Sequence, residues 1–217
     1  MKEQYTIIKP YKLLSVSQTL TGKMEGMPAV TSSMLCNERC MKLIKIKGSV
    51  CEKCYTNKYL SCRPNLEKCY RENTDLLTSS IIPKNQLPFI NAAFCRLETF
   101  GDITNATHLQ NYINLVKKNN HCTFCLFTKN YTVVFNYFKT NKQPSNLSIV
   151  VSSLMLNEPF PIENCLHLKN LKIFTVYTKK FADRHNVPII CGKNRCIDCR
   201  RCYTKNKTPV YISELLK

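Results

Sequence analysis

Fourteen cysteines stand in 217 residues, and most of them are clustered. The tightest group is 191-CGKNRCIDCRRCY-203, where Cys191, Cys196, Cys199 and Cys202 follow an x4-x2-x2 spacing. Each x2 step lets two thiolates turn toward one centre while the intervening amides point at sulfur. Four cysteines in so short a run can complete an all-thiolate site. Successive x2 steps resemble ferredoxin-type runs more than zinc ribbons, whose CxxC pairs stand roughly 15 residues apart. A second group lies in 36-CNERCMKLIKIKGSVCEKCY-55, where Cys40, Cys51 and Cys54 offer three ligands and Cys36 is available as a fourth. Both runs end in Cys-Tyr, and a ring beside a cluster can shield sulfur from water. The expectation is a [4Fe–4S] centre, with a structural zinc as the alternative. Seven principal cysteines do not divide into fours. Either one cluster draws on both ends of the chain, or two clusters recruit Cys36 as the eighth ligand, and we favour two.

An even cysteine count is also what a disulfide framework would need, but that requires an oxidising compartment. The N-terminus, Met1-Lys-Glu-Gln-Tyr, carries Glu3 and has no apolar core of a signal peptide. Apolar runs reach only about five residues against the roughly 20 of a membrane span. The reading is a protein of a reducing cytoplasm without a membrane segment, where clustered cysteines bind metal or do redox chemistry. Cys95, Cys122, Cys125 and Cys165 read as core residues. Cys122 and Cys125 fall within one expected strand, where side chains three apart face opposite ways. The four histidines show no ligand spacing, and no GxGxxG or Walker sequence is present.

The chain is strongly basic, with 32 Lys+Arg against 14 Asp+Glu and a formal charge of +18. A [4Fe–4S]2+ core with four thiolates carries a net −2, so two clusters still leave about +14. Lys42, Lys45, Lys47 and Lys53 punctuate the first cysteine run, and Arg195, Arg200 and Arg201 the second. With tyrosines interleaved, these residues are candidates for nucleic-acid binding through phosphate contacts and stacking.

The elements that must position these groups fall into three zones of a single domain. Residues 1–72 are cysteine-rich and loop-rich, with 65–77 the clearest helix. Residues 89–190 alternate short apolar strands (89–97, 122–128, 147–153, 171–177 and, weakly, 187–191) with helices over 106–120 and 130–141. That alternation predicts an α/β fold with a parallel sheet, either a partial (β/α) barrel or an open sheet. Residues 191–217 return to cysteine-rich texture and close in a tail. Polar residues end the expected strands: Arg96, Glu98 and Asp102, then Thr128 and Lys129, then Ser152 and Ser153, then Tyr177, Thr178 and Lys179. Ligands bind at such strand ends in parallel sheets, so the cysteine segments are expected to pack there. Glu98, Asp102 and Lys179 are the candidates for acid–base work in an enzyme alternative.

Taken in order, 22-GKMEGMPAVTSS-33 with Asn37-x-x-Cys40, 50-VCEKCY-55, 95-CRLETFGDITNATHLQNYI-113, 124-FCLFTKN-130, 144-PSNLSIVVSS-153, 174-FTVYTKK-180 and 191-CGKNRCIDCRRCY-203 resemble the bacteriophage "gene product 88" family over nearly the whole chain. The resemblance implies a viral protein of the host cytoplasm with an iron–sulfur centre and a partial barrel similar to radical-SAM enzymes. By position, the family's cysteines match Cys40, Cys51 and Cys54, and Cys191, Cys196, Cys199 and Cys202. The CxxxCxxC loop of radical-SAM enzymes is missing: Cys36-x3-Cys40 is followed by ten residues before Cys51. That departure argues against SAM as a cofactor.

Overall fold

The structure, a computed structural model, describes residues 13–18, 20–163 and 167–216. Six parallel strands form one open sheet in consecutive order. They are β1 (Ala29–Val30), β2 (Phe94–Leu97), β3 (Thr123–Thr128), β4 (Leu147–Ser152), β5 (Leu171–Tyr177) and β6 (Val210–Leu215). Between β1 and β2 run α1 (Glu38–Leu43), α2 (Tyr55–Ser61) and α3 (Pro64–Ser79). Then come α4 (Ala106–Lys118), α5 (Tyr131–Thr140), α6 (Lys179–Arg184) and the single turn α7 (Cys196–Cys199).

Consecutive strand order has a physical consequence. Right-handed crossovers that always step in the same direction deliver their helices to the same side of the sheet. That side carries Cys95, Leu97, Phe124, Leu126, Ile149, Val151 and Ile173, packed against Leu77 of α3, Leu109, Tyr112 and Val116 of α4, and Val134 and Phe138 of α5. The opposite face carries Cys125, Val150, Phe174, Val176 and Ile212. Here Met24, Met27, Tyr203 and the C-terminal cysteine loop provide the cover. The sheet therefore has a helical side and a cysteine side.

Local sequence explains the main elements. The Asn105 side chain caps α4 by accepting from His108 N at 2.8 Å, and Lys117 and Lys118 sit in its last turn, where the dipole favours cations. Pro64 opens α3, where its missing N–H costs nothing. β4 and β5 are buried along their whole length, as strands covered on both faces must be.

Three sequence expectations are corrected. Residues 187–190 form no strand; Ile190 and Cys191 both donate to the single carbonyl of Ser213 (3.1 and 2.8 Å). The segment expected as a tail is instead β6, which pairs with β5 from Lys172↔Val210 to Tyr177↔Leu215. Its β-branched and aromatic opening, Val-Tyr-Ile, fits a pleated surface. Residues 89–93 are irregular because the Ile90 amide is taken by the Asn119 side chain at 2.8 Å instead of a neighbouring strand. Cys165, expected in the core, lies outside the described residues.

Beyond β2 the chain turns sharply and presses Gly101 onto the loop after β1. A Cβ at Gly101 would stand 2.7 Å from both Glu98 Oε2 and Ser32 O, and closer still to Ser32 Oγ. Gly101→Ala should therefore cost about 1–3 kcal/mol by overpacking, read as a lower urea midpoint at unchanged slope.

Candidate metal and polar sites

At the carboxyl ends of β2 and β3 the chain builds a polar cluster around two carboxylates. Glu98 adopts a left-handed φ of 61° and folds back under the sheet edge. Its carboxylate accepts from Tyr112 Oη at 2.6 Å and from Ser32 Oγ at 3.0 Å, and lies 3.0 Å from His108 Nε2. Burial alone would push its carboxyl up, but the His108 contact and these hydrogen bonds bring it below the ordinary range. Asp102 accepts from Ile103 N (2.8 Å), Lys129 N (2.9 Å) and the Thr128 hydroxyl. Here burial wins and the carboxyl sits above its usual value. Both carboxylates are occupied in holding three loops together, while Lys179 is exposed at the start of α6.

The first cysteine group is suspended from this cluster. The Asn37 side chain accepts from Arg39 N and Cys40 N, capping α1, and donates to Asp102 O at 3.0 Å. That one residue sets Cys40 beside the end of β2. Cys51 and Cys54 lie on a turn clipped to the loop after β4 by Val50 N donating to Leu154 O (2.8 Å). Burial, with Asp102 and Cys51 nearby, pushes the Cys40 thiol far up. Burial also raises Cys51, opposed by Lys129 and, more weakly, by Arg39. Arg39 donates to Lys129 O at 2.9 Å, while its Nε is sealed from solvent without a partner among the described residues. Cys36 takes a different direction, toward α3, with its sulfur 4.0 Å from Glu67 Oε1.

The second group lies across the cysteine side of the sheet. Cys191, Cys196, Cys199 and Cys202 line one shallow cleft of about 520 Å3, its open mouth included, with Arg96 and Phe127 of the sheet on its wall. Arg200 closes α7 in a left-handed conformation, φ 53°, and the chain reverses to bring Cys202 back over β3. Tyr203 is then buried against Phe94 and Met27. Below the loop, Lys172 is fully buried and donates to Asn170 O (3.2 Å), Thr204 O and Asn206 Oδ1.

Within this second group the electrostatics favour negative sulfur at Cys202, while burial opposes it at Cys191 and Cys196. A hydrogen bond from Cys125, assisted by Arg96, Lys172 and Lys23, pushes Cys202 down to about 7. Burial raises Cys191 and Cys196. The Arg96 guanidinium stacks 3.4 Å over Phe127 and donates to Glu98 O, and among the described residues no carboxylate pairs with it. Every cysteine among the described residues is a free thiol. Among the same residues, no three Cys, His, Asp or Glu side chains converge closely enough to hold a single ion.

The structure thus gathers Cys40, Cys51 and Cys54 at one edge of the sheet, and the four C-terminal cysteines in one cleft on its face. Cys122 and Cys125 separate as expected, the first into the helical core and the second under the cysteine loop. Sequence reading missed Cys125 as a neighbour of the site, and missed Lys172 altogether. The signal for the lysine was a charge in the otherwise apolar 171-LKIFTVY-177. Lys42, Lys45, Lys47, Lys53, Arg195, Arg200 and Arg201 are all exposed. Arg195 is paired with Asp198 at 2.9 Å, and Arg200 donates to Ile197 O at 2.7 Å.

An open, all-parallel α/β sheet with one face roofed by a cysteine loop defines the class of protein. The sequence profile of the gene product 88 family matches residues 6–208, so the chain belongs to that phage gene-product family. No curated protein and no solved structure matches the chain. Among the described residues, no helix is long and apolar enough to cross a membrane.

The Glu98 cluster makes a prediction about acid stability. Its folded carboxyl lies below the ordinary value, so its contribution is present above that value and is lost as pH falls through the carboxylate range. Glu98→Gln should be less stable by about 1–3 kcal/mol at neutral pH and show a flatter loss of stability toward acid, measured by urea unfolding across pH.

Proposed function

We propose that this phage protein is an iron–sulfur protein of the host cytoplasm that binds nucleic acid, its metal centre serving as a structural or redox-sensing element. The observation behind the cluster reading is the cleft on the cysteine side of the sheet. Four thiols line it, and beside them stands Arg96, a cation with no carboxylate partner among the described residues. Arg96 is half-buried, and an all-thiolate [4Fe–4S] centre would supply a net negative charge beside it. The donor set suits the group: sulfur ligands, a partly apolar lining and nearby cations that favour thiolate. Cys191, Cys196, Cys199 and Cys202 would hold this centre. A four-iron cube also spreads its ligands more widely than a single ion does, which suits thiols that share a cleft without closing on one point.

Cys40, Cys51 and Cys54 would hold a second cluster at the strand ends, with Arg39 and Lys129 as the balancing cations. Cys36 points toward Glu67 rather than into that group, so its recruitment as the eighth ligand requires the start of α1 to turn. When bound, such clusters supply one-electron chemistry or a cross-link that orders loops. This chain's own residues supply the rest: Asn37 and Ser213 orient the cysteine segments, Tyr203 and Phe127 keep water from the second group, and Arg96 balances charge. The nucleic-acid reading draws on the +18 formal charge, which no cluster stoichiometry removes.

Anaerobic purification followed by iron, sulfide and zinc analysis tests the metal assignment. The wild-type chain should be brown, and Cys202→Ser and Cys199→Ser should each lose about four irons per chain. Unchanged iron in both variants, or a colourless wild type holding zinc after adequate iron loading, would overturn it.

A further inference from the structure

The end of the sheet opposite Cys40, Cys51 and Cys54, where the strands begin, holds a second concavity. It is built from the segments that lead into β3, β4, β5 and β6 and encloses about 1780 Å3, its open mouth included. Lys117, Lys142, Lys169, Lys205 and Lys207 line it, and its lining contains no aspartate or glutamate. All five lysines are exposed, and none makes an ion pair or a side-chain hydrogen bond among the described residues. By contrast, Arg195, Arg200 and Lys23 are committed to local partners.

Ordinary helix chemistry explains only part of this. Lys117 sits in the last turn of α4 and Lys142 just follows the end of α5, where a cation is favoured by the dipole. Lys169, Lys205 and Lys207 follow no helix of more than one turn, and their convergence on the same cleft costs mutual repulsion.

The floor beneath the lysines is stiff. The Gln143 side chain donates to Leu147 O (2.9 Å) and Lys169 O (2.6 Å) and accepts from Lys169 N (2.9 Å), fastening two of the loops together. Asn146 donates to Val116 O, Asn119 O and Cys122 O at 2.9–3.2 Å, fastening the end of α4. Asn206 N donates to Asn170 Oδ1 at 3.1 Å, and Lys172 is clamped between them. Backbone geometry is thus fixed by amides, while the ammonium groups are left to the solvent. Fixed spacing of free cations over several loops suits a ligand whose negative charge repeats along its length, not a lone phosphate.

We propose that this cleft binds the phosphodiester backbone of a single nucleic-acid strand. The inference rests on the nucleic-acid reading above and assigns it a place, remote from the first cysteine group and distinct from Lys42, Lys45, Lys47 and Lys53. A concave floor admits one strand with its bases, and the Tyr137 ring on the cleft wall offers a stacking surface.

Fluorescence anisotropy of the full chain with a labelled oligodeoxythymidine of about 20 nucleotides, titrated between roughly 50 and 200 mM salt, tests this. Wild type should bind with steep salt dependence. Lys142→Gln/Lys169→Gln/Lys205→Gln should bind at least about tenfold more weakly at low salt, with a slope shallower by about 2, since each lost contact removes about 0.7. Lys42→Gln/Lys45→Gln/Lys47→Gln, which removes the same charge elsewhere, should stay within about twofold of wild type. Binding lost in the second triple variant and kept in the first would overturn the cleft and leave the nucleic-acid reading standing. No binding by wild type would overturn both. Tighter binding to a duplex of the same length overturns the single-strand assignment, and equal competition by polyglutamate overturns the phosphodiester assignment. All six lysines are exposed, and unchanged thermal unfolding of both variants confirms that folding is not the cause.

Discussion

The structure depends on one constraint of winding. Six parallel strands laid down in consecutive order place their longer connecting helices on one side, so among the described residues the other side has no helix longer than the single turn α7 to bury it. The chain meets that need with its last quarter. Residues 190–204 run across the bare face, and β6 then zips onto β5 to hold the cover in place. The cysteine loop is therefore both the roof of the sheet and the bearer of the thiols, although it lies in the β5–β6 connection, which the winding rule alone does not place on this face.

That arrangement accounts for the two charges on the covered face. Arg96 and Lys172 alternate with apolar residues on strands that are otherwise suited to a core. Lys172 is satisfied by carbonyl and amide oxygens of the segment that follows the loop, so it fastens cover to sheet as well as tolerating burial. Among the described residues Arg96 finds an aromatic ring, a backbone carbonyl and the Met24 sulfur but no acid. Polar groups at such positions act as registers: the loop fits over the sheet in the one placement that meets both of them.

Much of the fold was legible in the chain. The strand 171-LKIFTVY-177 was read to the residue, because a run buried on both faces is continuous in its apolarity. The helix from Ala106 was legible from its apolar stripe and its terminal lysines. β6 was not: it is as long as β3 and β4, but Ser213 and Glu214 interrupt its apolar run and its pairing with β5 is made across the whole cysteine loop. β1 contributes only Ala29 and Val30, too few to show a period. The cysteine groups were legible as groups, since spacing is local. Their surroundings were not: that Cys125, Arg96 and Lys172 lie under the second run depends on pairing between strands far apart in sequence. The basic cleft was hidden for the same reason, its lysines being scattered over four loops with no run of charge to mark them.

Residues 190–204, the larger part of the cover, are synthesised after β1 to β5, so the second face of those strands is made before the loop that will roof it. During that interval the face is open to water. With Arg96 on β2 and Lys172 on β5 it carries two charges, where an all-aliphatic face would invite another chain. The same two residues that position the finished roof thus act earlier as gatekeepers against association of the nascent protein.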